Sequence, residues 1–76
     1  MNKPRRKALQ EIIEQLEELK SQLETIQEEE EDYRDNMPEN LQSSERYEKA
    51  EEACDNLGDA FSSLEDAISS IEEATA

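Results

Sequence analysis

The side chains of this 76-residue sequence that could do chemistry are one thiol, 22 carboxylates and a cluster of cations near the start. A proton relay near neutral pH draws first on histidine, and the sequence has none. Cys54 stands close to the acids Glu51 and Asp55, which hold a thiol pKa up, so it reads as a buried structural cysteine rather than a nucleophile. Two carboxylates work as an acid–base pair only in a cleft that gives them unequal environments, and solvated helix faces offer no such cleft. Zinc would need clustered cysteine or histidine, and the calcium-loop pattern with its central glycine is missing around Asp32 to Asn36. The run Glu28 to Asp32 reads as solvated charge. The expectation is a protein that is not an enzyme, with no cofactor and no metal centre, whose work is stoichiometric binding.

Charge narrows what it binds. Eight cations against 22 acids give a formal charge of −14, and half of the cations, Lys3, Arg5, Arg6 and Lys7, fall in a basic segment, residues 1–7. From Ala8 onward 4 cations face 22 acids, a charge of −18. Such a surface repels DNA, RNA and anionic lipid and favours a protein partner with a basic surface. No apolar run approaches the roughly 18 residues of a membrane span. The basic start leads into Ala8-Leu9-Gln10-Glu11 rather than an apolar signal core. A single cysteine forms no intrachain disulfide, which fits a reducing cytoplasm.

The elements that must position these groups are two heptad helices. Leu9, Ile12, Leu16, Leu19, Leu23, Ile26, Glu30 and Tyr33 alternate in steps of three and four, and so do Tyr47, Ala50, Cys54, Leu57, Phe61, Leu64, Ile68 and Ile71. Between them Asn36, Pro38 and Asn40 punctuate the chain, and Pro38 turns Met37 out of helical geometry. The division is a helix over 8–35, a connector over 36–43 and a helix over 44–74, with Asn40, Ser43 or Ser44 as the second N-cap. Residues 8–76 form a single helical hairpin.

Folded back about Asn40, the two columns pair so that residue numbers add to 80, from Leu9 with Ile71 through Leu16 with Leu64 to Tyr33 with Tyr47. This mirror favours an antiparallel hairpin over a long parallel dimer. It also sets the basic segment beside Glu72 and Glu73 and the acidic run beside Arg46, relieving charges that oppose each helix dipole. The fold class expected is all-α, an antiparallel two-helix hairpin with a coiled-coil seam that assembles into a homo-oligomeric helical bundle.

The second helix repeats every seven residues, stacking Ala53, Ala60, Ala67 and Ala74 beside Asn56, Ser63 and Ser70. This small, uncharged strip reads as an oligomer interface, because small residues let backbones approach and helix propensity alone would not exclude charge from one face. Gly58 in mid-helix marks a close contact or a slight kink. At the tip, Met37 and Leu41 either fold onto Tyr33 and Tyr47 to plug the seam or present a recognition surface.

The stretch Asn36-Met37-Pro38-Glu39-Asn40-Leu41-Gln42-Ser43-Ser44-Glu45-Arg46-Tyr47-Glu48, with the alanine-rich heptads that follow to Ala74, resembles small acidic helical-hairpin proteins of phages and bacterial mobile elements. The resemblance covers about half the chain. It implies a bacterial cytoplasmic setting and a role in counter-defence or host takeover, and it assigns no functional residue.

Three functions compete. An inhibitor of a host or defence protein would present carboxylates where a nucleic-acid backbone lies, with Glu11, Glu14, Glu18, Glu24, Glu28, Glu31 and Asp32 as its acidic binding face. Many of these acids sit three or four residues apart, where like pairs cost a few tenths of a kcal/mol that folding does not require. Solubility explains the same charge. An oligomeric sponge would gather Lys3, Arg5, Arg6 and Lys7 from several chains around an anionic signalling nucleotide. A structural coiled-coil assembly protein would use the seam alone.

Overall fold

The computed structural model describes residues 1–76. Two long helices, α1 (Lys3–Asp35) and α2 (Glu45–Thr75), pack against each other along a rod of 59 × 15 × 13 Å, with one 3-10 turn over Glu39–Leu41 and no strand. At 1.5 Å per residue a 33-residue helix is about 50 Å long. The two helices therefore lie side by side and antiparallel.

Local chemistry explains each boundary. The first helix begins at Lys3, so the basic segment is helical rather than a tail preceding residue 8. Asn2 accepts a hydrogen bond of 2.9 Å from the Arg5 amide through Oδ1, and Pro4 sits in the first turn, where its missing N–H is no loss. The pair Asn2 and Pro4 is a start signal that heptad counting passed over. At the other end Asn36 donates from its backbone N and from Nδ2 to the Asp32 carbonyl, at 3.0 and 2.7 Å. Ser44 is the second N-cap, its Oγ accepting from the Tyr47 amide at 3.3 Å while its hydroxyl donates to the Leu41 carbonyl.

The α2 column is buried or half-buried throughout, from Tyr47 to Ile71. On α1 only every second expected seam residue faces inward: Leu9, Leu16, Leu23 and Glu30 do, and Ile12, Leu19, Ile26 and Tyr33 do not. Ile13, Lys20, Gln27 and Arg34 take their places, each one residue later, so α1 is turned by about half a residue step, roughly 50°. Lys20 and Arg34 can fill seam positions because their methylene stems cover apolar surface while their charges reach the rim. The Lys20 ammonium lies 5.4 Å from the centroid of the Phe61 ring, an attraction that aqueous exposure does not cancel. This contact also keeps the expected register, in which residues whose numbers add to about 80 lie level.

The register has a direct check. Cysteines at positions 9 and 71 in a Cys54→Ser background should close into an intrachain disulfide on dilute oxidation, read as a monomeric band without reductant. Interchain products alone would mean that the helices pair between chains.

Candidate functional site

The ion pairs of the protein are all local: Lys20 with Glu17 at 3.5 Å, Arg34 with Asp35 at 2.9 Å and Lys49 with Glu45 at 3.3 Å. The expected bridges from the basic segment to Glu72 and Glu73, and from the acidic run to Arg46, do not form. Lys3, Arg5, Arg6 and Lys7 are exposed and project from the first two turns of α1 into solvent. Solvated lysine and arginine gain little from an exposed partner, so proximity does not hold them to the carboxylates.

Helical geometry divides the rod into two unlike faces. Gly58 approaches α1 so closely that a Cβ there would meet Gln27 Nε2 at 3.3 Å. Gly58 and Gln27 therefore share a flank, and at 100° per residue Glu17, Glu24 and Glu31 of α1 turn to that flank together with Glu51, Glu65 and Glu72 of α2. Glu11, Glu14, Glu18, Glu28 and Asp32 point outward from α1 and are exposed; Glu31 is half-buried, with a hydrogen bond of 3.5 Å from Gln27. The acidic binding residues of the sequence reading thus fall on the outer side of α1 and one flank. Among the acids of this flank Glu17 alone has a cationic partner, Lys20.

The other flank carries the alanine strip. Ala53 is half-buried, and Ala60, Ala67, Ala74, Ser63 and Ser70 are exposed. Beside it run Ile12, Leu19, Ile26 and Tyr33, residues that heptad counting assigned to the seam. Their exposure had a sequence signal in the adjacent pair Ile12-Ile13: a helix with apolar residues in three columns has a wider stripe than one neighbour covers.

At the tip Met37 is buried and Leu41 and Tyr47 are half-buried, so the connector folds against the seam end, while Tyr33 stays exposed. Arg34 lies at the same end, held charged by its hydrogen bond to Asp35. The Cys54 thiol is buried, and burial pushes its pKa up; Arg34 opposes the shift, while Glu31, Glu30 and Asp35 add to it. A raised thiol pKa stabilises the fold below the unfolded thiol's value, and that contribution is lost as pH rises through the folded one. Stability should therefore fall on the alkaline side more steeply in the native sequence than in Cys54→Ser, as urea midpoints at pH 7 and 10 would show. Equal slopes would place the thiol in solvent.

No helix is long and apolar enough to cross a membrane. No protein-family model, curated protein or solved structure matches the chain.

Proposed function

We propose that this protein is a non-catalytic binding module whose acidic face occupies the basic, nucleic-acid-binding surface of a bacterial host or defence protein. The observation that carries the reading is the acidic flank: Glu17, Glu24 and Glu31 of α1 and Glu51, Glu65 and Glu72 of α2 follow one another along a rod 59 Å long, relieved by Lys3 and Lys20, with the apolar and small residues gathered on the opposite side. A flank so arranged matches a groove built for phosphates and offers nothing to an apolar ligand. Self-association through the Ala53, Ala60, Ala67 and Ala74 strip belongs to the same proposal, since it leaves the acidic flank free.

Binding to a partner recovered from bacterial lysate should weaken steeply with salt and compete with duplex DNA or RNA. Changing Glu14, Glu18 and Glu28 together to Gln should cost most of the affinity, and changing Arg5 and Arg6 to Ala should cost little. A partner that binds the triple variant as tightly, or that binds nucleic acid and this protein at once, would exclude mimicry.

A second reading has its own support. Lys3, Arg5, Arg6 and Lys7 form no ion pair, which leaves their donors free for the phosphates of an anionic signalling nucleotide held between chains. Under that reading the order of effects reverses, with tight nucleotide binding that disappears in the double arginine variant.

A further inference from the structure

On α1, Ile12, Leu19 and Ile26 are 44%, 54% and 53% exposed and recur every seven residues along one edge, and Tyr33 extends the row. Gln15 and Gln22 alternate with them, and a shallow hollow of about 240 Å³ opens beside Leu19, lined by Gln15, Glu18 and Gln22. The edge lies on the flank opposite Gly58 and Gln27, which is also the flank of the alanine strip. The register fixed by Lys20 and Phe61 sets Ile12 level with Ala67, Leu19 with Ala60 and Ile26 with Ala53. One face of the rod is thus a ridge of large side chains beside a trough of alanines.

We propose that a second copy of this chain covers this face. The α1 ridge of each copy seats in the α2 trough of the other about a twofold axis parallel to the rod. A ridge and trough at matching levels are self-complementary under that operation, which gives a four-helix bundle with all neighbours antiparallel and both tips at one end. The inference extends the self-association reading above and does not depend on what the acidic flank binds.

Area, charge and core content agree on a second copy. The accessible surface is 5726 Å², whereas a compact monomer of 8.8 kDa exposes about 4,800 Å². The excess, about 900 Å², is close to the roughly 800 Å² that each partner contributes to a stable interface. Arg5, Glu29, Arg46 and Lys49 are the charged residues within the face, apart from Glu18 at its rim, in a chain of net charge −14. Two copies can meet there with their acids outward, and a basic foreign partner would be drawn to the opposite flank. Only five residues of the hairpin are buried and none completely, so the apposed faces supply the core that the single copy lacks.

Sedimentation equilibrium of the full chain should give a dimer at about 50 µM. Leu19→Gln with Ile26→Gln lies outside the hairpin seam and keeps helix propensity, so helicity should persist while the dissociation constant rises at least about 100-fold, each change entering the interface twice. Glu17→Gln with Glu24→Gln on the opposite flank should leave the dimer intact. Spin labels on Gln42→Cys in a Cys54→Ser background should lie about 20 Å apart, two helix spacings across the bundle. A native chain that stays monomeric, an undiminished dimer in the Leu19→Gln, Ile26→Gln variant, or tip labels separated by the length of the rod would each overturn the proposal. If Ala60→Glu with Ala67→Glu dissociates the chains and Leu19→Gln with Ile26→Gln does not, self-association stands and the ridge has no part in it.

Discussion

Ile68→Asp should unfold the hairpin at 25 °C, with the far-UV helical signal lost before any denaturant is added. Ile68 is 3% exposed and stands level with Ile13, itself 7% exposed, at a point of the rod that none of the three ion pairs reaches. A carboxylate there is taken from water into apolar contact without a donor, at a cost of about 4 kcal/mol or more. A core in a chain of this size rarely supplies more than about 3 to 5 kcal/mol. Ser69→Asp, on the neighbouring exposed position, adds the same charge outside the seam and should change stability by about 0.5 kcal/mol or less. Native-like helicity in the Ile68 variant would mean that this end of the seam is open to water.

Two adjacent isoleucines test the turned seam. Ile13→Ala should lower the unfolding free energy of the hairpin by about 3 kcal/mol, the usual cost of emptying a buried branched side chain. Ile12→Ala, at 44% exposure, should cost about 1 kcal/mol or less when melts are recorded at concentrations low enough to keep single copies. The difference is read as a shift of urea midpoint at constant slope. Equal effects, or a larger one at Ile12, would restore the seam that simple heptad counting predicts.

That contrast also shows how far the sequence could be read. Helix type, the connector, the antiparallel packing and the whole α2 column follow from apolar spacing and from Pro38, because each rests on backbone sterics or on burial against one neighbour. The face of α1 did not follow. Its third column opens with Ile13 beside Ile12, and continues through Lys20 and Arg34, whose charged ends hide apolar stems from a residue-by-residue count. Charge pairing across the hairpin was legible as proximity but not as contact, since a solvated Arg5 or Arg6 gains too little to be fixed. Of the acidic residues, Glu11, Glu14, Glu18, Glu24, Glu28 and Asp32 are exposed and Glu31 is half-buried, an outcome that solvation alone requires and that says nothing of a partner. Ile12, Leu19 and Ile26 were misplaced, since a helix whose apolar stripe is wider than one neighbour covers resembles, in one sequence, a helix with a single seam.

The dimensions of the rod carry one more consequence. Fourteen net negative charges over 59 Å make one charge per about 4.2 Å of length, near the 3.4 Å of a single nucleic-acid strand. Two copies side by side would halve that spacing to about 2.1 Å, against about 1.7 Å for duplex DNA. At that linear charge density a polyanion gathers a sheath of condensed cations, whatever its backbone is made of. Docking on a basic groove would then release them, and the entropy of their dilution would drive the association as it does for a duplex.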